Sequence, residues 1–148
     1  SYKFTHPLPN DLRRIAEQTS GILLNWYLTD WTNTTNQINY AIDKVEQSSG
    51  RSKVTIERIG LMPMPLEILV KYKNGNEEYY YIPISLMRGE KKQPDYAENW
   101  IQIKDWSWAY KKYSFEIDSK LDSIESIDLN PTGLIADTDS SNDKIIFE

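Results

Sequence analysis

The sequence of 148 residues contains no cysteine and a single histidine, His6. Cysteine and histidine are two of the three commonest side-chain ligands of catalytic zinc, so the chain alone is not expected to form a complete metalloenzyme. The same shortage excludes a Cys-His nucleophile pair. It also leaves a Ser-His-Asp triad dependent on one residue near a frayed terminus. We therefore predict a non-catalytic unit and assign no catalytic and no metal-binding residue.

Long apolar runs and clustered basic charge are also lacking. No run is long enough for a transmembrane helix, and the 17 basic residues are interspersed with 22 acidic ones. We therefore expect neither a membrane nor a nucleic acid as partner. The first residues include neither an initiator methionine nor the apolar stretch of a signal peptide, which is expected of a piece of a longer protein. The absence of cysteine leaves the compartment open.

Aromatic residues are plentiful, with ten tyrosines and five tryptophans. Hydrophobic residues make up 39% of the chain and charged residues 26%, which is typical of a folded globular protein. The length suits one ordinary domain. Amphipathic rings in this number are used in cores, in interfaces and in ligand platforms, and composition does not choose among these.

Helical periodicity is confined to residues 9–31. Leu12, Ile15 and Ala16 follow the capping residues at positions 9–11 at helical spacing, and Ser20-Gly21 then interrupts the pattern. A second apolar stripe follows the interruption, so the sequence predicts two short helices joined at a glycine. The stripe comprises Leu23, Leu24, Tyr27, Leu28 and Trp31, with Trp26 at its margin.

From position 37 onward the hydrophobic pattern has a period of two residues, which is typical of strands. Residues 38–42 and 54–56 are predicted to form a hairpin around the turn Ser48-Ser49-Gly50. Residues 66–72 and 77–84 are predicted to form a second hairpin around Asn74-Gly75. If these two are the turn residues, Val70 lies opposite Tyr79, Ile68 opposite Tyr81, Leu69 opposite Tyr80 and Lys71 opposite Glu78.

Further strands are predicted near residues 100–105, 113–118, 124–129 and 144–147, with the longest loop at 87–99. Seven or eight short strands with regular turn signals favour a mainly β fold. We expect an antiparallel, immunoglobulin-like β-sandwich preceded by two short N-terminal helices.

Aromatic side chains supply the candidate functional surface. Trp106, Trp108 and Tyr110 alternate in sequence and are expected to share one face, either as a stacking platform for a ligand or, as we favour, as part of the core or of a domain interface. The Tyr79–Tyr81 run sends rings to both faces of its strand. The candidate docking or binding surface comprises Trp26, Trp31, Tyr79, Tyr81, Trp106, Trp108 and Tyr110.

Two groups of acidic residues have less specific patterns. Asp137–Asp143 begins like a calcium loop, yet lacks the glycine and the terminal glutamate that such loops place at fixed positions, so a polar turn is favoured. A carboxylate pair for glycoside hydrolysis could be assembled from four glutamates, but their spacing does not require it. These glutamates are Glu67, Glu77, Glu78 and Glu90.

Several short motifs, taken in order, carry a family resemblance. They are Gly60–Leu66, Tyr80–Ile84 with Met87–Gly89, Asp105–Tyr110, and Ile127–Pro131 through Ala136–Asp139. Together they resemble the C-terminal portion of bacterial aminopeptidase N-like zinc metallopeptidases, the M-one family, most closely its Bacteroidetes-type members. The segment Ser20–Trp31 is similar to the last helix of that family's thermolysin-like catalytic domain.

The resemblance implies that residues 1–35 are the helical tail of the catalytic domain and that residues 36–148 are the β-sandwich that follows it. The parent enzyme would hold zinc on an HExxH helix and hydrolyse N-terminal amino acids from peptides. No HExxH occurs here and His6 matches no ligand position, so zinc is implied for the parent alone. The implied partners are the catalytic domain of the same chain and, through the parent, a peptide substrate.

The implied source is bacterial, with the periplasm or the cell exterior as candidate compartments. The alternative is a free-standing β-sandwich module that binds carbohydrate or another ligand through exposed tryptophan and tyrosine rings. The residues alone do not decide between the two functions.

Overall fold

The computed structural model describes His6 and residues 8–148. In this part, two α-helices precede eight strands in two sheets, which confirms the prediction of a mainly β chain with two helices. None of the described helices combines the length and the apolar character needed to cross a membrane. The elements are α1 (Pro9–Ser20), α2 (Asn25–Asn33), β1 (Tyr40–Ser48), β2 (Arg51–Arg58), β3 (Leu66–Tyr72), β4 (Glu77–Ile82), β5 (Trp100–Gln102), β6 (Lys112–Ile117), β7 (Ile124–Asp128) and β8 (Lys144–Ile146).

The two sheets share one hydrophobic core. The smaller sheet has the order β1-β2-β6 and the larger one β5-β4-β3-β7-β8. Alternate residues of the strands meet between the sheets, as the two-residue period requires. Val54 and Ile56 of the smaller sheet and Ile68 and Val70 of the larger one are fully buried there.

The first hairpin forms, with a turn one residue shorter than the predicted Ser48-Ser49-Gly50. Ser48 pairs with Arg51, so Ser49 and Gly50 are the two turn residues between β1 and β2. Both have positive φ, 49° and 86°, which is the requirement of a type I′ turn. The turn therefore fixes the register that buries Val54 and Ile56.

The predicted register of the second hairpin is wrong by one residue. Leu69 lies opposite Tyr79 and Lys71 opposite Glu77, because the loop contains Lys73, Asn74 and Gly75 rather than two residues. Only Gly75 has a positive φ, 87°, so the loop is a type I turn followed by a left-handed glycine. Lys71 therefore forms its ion pair with Glu77, at 2.7 Å, and not with Glu78.

The prediction that all strands are antiparallel is wrong for the larger sheet. The strand predicted at 100–105 ends at Gln102, and it runs parallel to β4, with Tyr79 opposite Trp100. Parallel neighbours need a long crossover, and the loop between β4 and β5 is long enough to return the chain to the start of β4. Local alternation could not reveal this direction, because it does not record the path of the loop.

The helices attach to the sheets through the segment that joins them. Gly21 ends α1 in a left-handed conformation (φ 74°), and the next residues turn back to the loop after β4, where Leu23 N donates to Met87 O at 2.8 Å. Ile22, Trp26 and Tyr27 pack against the core and are partly buried. Neither helix contains a fully buried residue, and α2 packs on the core through Trp26 and Tyr27, whereas no residue of α1 does.

Candidate functional site

The aromatic residues of the predicted surface do not share one environment. Trp106 and Tyr81 are buried, with 3% and 1% of their surface exposed, so neither can touch a partner directly. Trp26 and Tyr79 are half-buried. The exposed members of the group are Trp31, Trp108 and Tyr110.

Trp106, Trp108 and Tyr110 do not point to one face, contrary to the expectation. Trp106 enters the core, where its ring lies 5.7 Å from that of Tyr40 and its Nε1 donates to Tyr110 O at 2.9 Å. Residues 107–110 then form a turn, closed by Tyr110 N donating to Ser107 O at 3.0 Å. Because alternation between faces holds only in extended chain, the turn leaves Trp108 and Tyr110 outside.

Two loops at the same end of the β2–β6 pair form an exposed apolar patch. Trp108 and Tyr110 come from the loop before β6, and Ile59 and Leu61 come from the loop after β2. Each of these four residues is between 52% and 68% exposed. Arg58 joins the loops, with its guanidinium donating to Trp108 O at 2.8 Å and to Leu61 O at 3.4 Å. We call these four apolar residues the loop patch. Sequence reasoning missed Ile59 and Leu61, whose proximity to Trp108 is non-local.

The two helices and the segment that joins them carry a second group of exposed apolar side chains. Leu12, Ile15, Leu23 and Trp31 are between 43% and 66% exposed. A cleft of about 200 Å³ between the helices is lined in part by Leu12 and Leu28. We call the exposed apolar residues of this region the helix surface. A concentration of large exposed apolar side chains is typical of a surface that another protein segment covers.

The outer face of the larger sheet is covered by the chain's own loop at 88–99. Beneath it Tyr81 and Leu69 are buried without joining the main core, and the Tyr81 ring stacks on Trp100 at 5.1 Å. Glu67 fastens the loop, since it accepts from Tyr96 Oη at 2.5 Å and pairs with Lys91 Nζ. β4 is thus covered on both faces, which accounts for its three consecutive tyrosines.

The four glutamates considered for glycoside hydrolysis do not come together as a pair. Glu67 is held by Tyr96 and Lys91, and Glu77 pairs with Lys71. Glu78 accepts from Tyr72 Oη at 2.5 Å and from Tyr80 Oη at 2.9 Å. Burial, reinforced by these bonds to Glu78, raises the pKa of both tyrosines. Tyr72 and Tyr80 therefore keep their hydroxyl protons, and their hydrogen bonds to Glu78 link the two strands.

The Asp137–Asp143 segment ties the two sheets together. Asp137 accepts from Tyr40 N at 2.8 Å and from Asp139 N at 2.9 Å, and Thr138 N donates to Ile38 O at 3.0 Å. Asp139 accepts from Ser141 N at 3.1 Å, so these carboxylates cap a polar turn. Asp143 is 5% exposed, and burial together with nearby Asp137, Asp128 and Asp139 raises its pKa to about 6.

A polar cleft of about 640 Å³ lies between the end of β4 and the residues that follow β5. Arg88 and Glu90 line one side of it, and Lys104 and Asp105 line the other. We call it the Arg88 cleft. Sequence reasoning missed it, because its two sides come from opposite ends of a long loop and form no recognisable motif; the local signal is Gly89 beside a basic residue.

No group of three or more histidine, cysteine, aspartate or glutamate side chains in the described part of the chain is arranged to hold a metal ion. His6 is exposed. The chain matches no protein-family model, no curated protein and no solved structure. Its function must therefore be argued from the surfaces described above.

Proposed function

We propose that this chain is the non-catalytic C-terminal region of an aminopeptidase N-like zinc metallopeptidase, in which an immunoglobulin-like β-sandwich supports the catalytic domain. In this proposal residues 1–35 complete the catalytic domain, and residues 36–148 form the sandwich. The parent enzyme supplies the zinc and the peptide chemistry, while this region supplies docking surfaces. The proposal originates in the motifs at 60–66, 80–89, 105–110 and 127–139.

The single observation that carries the proposal is the uncovered helix surface. α1 is amphipathic and yet buries none of its residues, with Leu12 66% exposed, and Trp31 of α2 is exposed as well. In water an amphipathic helix of this length gains most of its stability from covering its apolar face. A catalytic domain that packs on Leu12, Ile15 and Trp31 would provide this cover, and the loop patch offers a second contact.

The test starts with the coding sequence upstream of Ser1. We expect an HExxH motif followed by a further glutamate, and we expect the purified parent to bind about one zinc ion and to release amino acids from aminoacyl reporters. The chain described here should do neither. Activity or stoichiometric zinc in this chain alone would overturn the proposal, as would an upstream sequence without a zinc motif.

A second candidate function is a carbohydrate-binding module, which the exposure of Trp108 and Tyr110 favours. Two rings that lie outside the core and close together in sequence are the usual basis of sugar stacking. Titration with oligosaccharides while tryptophan fluorescence is followed separates the candidates. A saturable change that Trp108→Ala abolishes supports the module, whereas an unchanged spectrum at millimolar sugar supports the docking function.

A further inference from the structure

The Arg88 cleft has walls that are fixed by backbone hydrogen bonds. Ile103 N donates to Tyr81 O at 3.0 Å and Trp106 N to Pro83 O at 2.8 Å, so Lys104 and Asp105 lie on a short stretch held at both ends. The bridge between Ile84 and Trp106 closes this side. The cleft of about 640 Å³ is within the size range of sites for small molecules. Its shape is therefore largely formed before any ligand arrives.

The opposite wall contains a strained residue. Arg88 has φ 46° and ψ 36°, a left-handed conformation that costs a non-glycine residue about 1 kcal/mol or more. The backbone of the neighbouring Gly89 lies directly against the helix junction, since a Cβ there would lie 2.4 Å from Gly21 O. The helix junction thus holds Arg88 at the rim of the cleft. Strain of this kind persists where the surrounding structure fixes it, and it concentrates at ligand sites.

The charged groups around the cleft are not used by the fold. Arg88, Glu90, Lys104 and Asp105 make no ion pair and no side-chain hydrogen bond with the described residues, although two are cations and two are carboxylates. In contrast, Lys91 in the same loop is paired with Glu67. All four residues are exposed and line the open cleft, so a ligand carrying both signs could pair with both kinds of charge.

We propose that the Arg88 cleft binds a zwitterionic ligand, an amino acid or a short peptide held by both of its ends, with its carboxylate on Arg88 and Lys104 and its ammonium group on Glu90 and Asp105. A guanidinium binds a carboxylate through two parallel hydrogen bonds, and such charge-assisted bonds are the strongest of their kind. Ser85 and Gln102 line the same cleft and offer neutral donors and acceptors. The inference goes beyond the proposed function and does not depend on it.

The test is a titration of the isotope-labelled chain followed by two-dimensional amide NMR. L-leucine should cause saturable shifts at the amides of Ser85, Gly89 and Lys104. N-acetyl-L-leucine lacks the ammonium group and L-leucinamide lacks the carboxylate, so each should bind about tenfold more weakly. L-leucyl-L-leucine distinguishes the two sources of the ligand: tighter binding than L-leucine identifies a short peptide bound through both ends, and weaker binding identifies a free amino acid.

Variants decide whether the charges act as proposed. Arg88→Gln and Lys104→Gln, on opposite walls, should each weaken L-leucine binding about tenfold, while Lys92→Gln, an exposed lysine outside the cleft, should leave it unchanged. Thermal unfolding of each variant checks that the fold is retained. Three results would overturn the proposal. The first is the absence of shifts at about 50 mM L-leucine, a concentration at which even a weak site would be largely occupied. The others are equal binding of all the leucine derivatives and undiminished binding of L-leucine by both cleft variants.

Discussion

At the scale of single residues, Asp143 holds the clearest electrostatic conflict. Asp143 is only 5% exposed, and its Oδ1 has no hydrogen-bond partner among the described residues. The nearby carboxylates of Asp137, Asp128 and Asp139 add negative potential. Burial and these carboxylates raise its pKa from 3.8 to about 6. The folded chain therefore binds this proton more tightly than the unfolded chain. The stabilisation that the proton provides is complete below about pH 4 and is lost as the pH rises through about 6.

Asp143→Asn should raise the free energy of unfolding at pH 7.5 and change it little at pH 4. The amide stays neutral, which removes a penalty of up to about 3 kcal/mol for charging a group whose pKa is raised from 3.8 to about 6. Urea unfolding at the two pH values measures the difference. The exposed Asp122→Asn is the matched control and should show no such dependence. Equal destabilisation by Asp143→Asn at both pH values would contradict the argument.

Residues also show where sequence reasoning succeeds and where it stops. Ser48-Ser49-Gly50 and Asn74-Gly75 both predict a turn, and both turns form. Neither has the predicted extent, because Ser48 still pairs with Arg51 in the first hairpin, while Lys73 joins the loop of the second; the sequence does not say which backbone conformation Asn74 adopts. The alternation predicts that Trp106 and Trp108 share a face. The chain instead turns at residues 107–110, where Tyr110 N donates to Ser107 O, and the two rings point to different environments.

At the scale of elements, the strands were predictable and their partners only in part. Local alternation identified the strand positions, since the period of two records which face is buried. The parallel pairing of β5 with β4 depends on the path of the long loop before it, and no local pattern encodes that path. The same holds for the Arg88 cleft and the loop patch, whose residues come from distant loops. Sites whose residues come from different loops are therefore the features that could not be predicted from the sequence.

The helix surface leads to a prediction for α1. Leu12→Glu should leave the thermal midpoint of this chain unchanged within about 2 °C, because Leu12 is 66% exposed and both residues favour helix. It should at the same time reduce the binding of a hydrophobic dye and any self-association, since it places a charge in the apolar surface. Dye fluorescence and light scattering measure these effects.

Gln18→Glu provides the control for Leu12→Glu, because it adds the same charge to an exposed position of the same helix. It should reduce neither dye binding nor self-association. A fall of more than about 5 °C for Leu12→Glu alone would mean that α1 packs on the sheets in solution. That outcome would remove the main support for a covering catalytic domain.

At the scale of the whole molecule, the two N-terminal helices differ in how they contact the sheets. The proposal gives residues 1–35 to the catalytic domain as one piece. Within the segment, however, α1 buries no residue, whereas Ile22, Trp26 and Tyr27 pack against the shared core. The junction is further fixed by Leu23 N donating to Met87 O at 2.8 Å. The stability of the β part should therefore depend on α2 and its junction but not on α1.

Two truncations test this division. Removal of residues 1–20 deletes α1 and should change the free energy of unfolding by less than about 1 kcal/mol, because exposed helical residues contribute little. Removal of residues 1–36 also deletes Ile22, Trp26 and Tyr27 and should cost at least about 3 kcal/mol, or about 6–12 °C in thermal midpoint. Urea and thermal unfolding of the three chains give both numbers. Equal stability of the two truncated chains would show that the sheets fold without the helices, and the boundary would then move to the end of α2. A large loss from the first truncation would instead make α1 an integral part of this unit, which would leave no uncovered helix for a catalytic domain to bind.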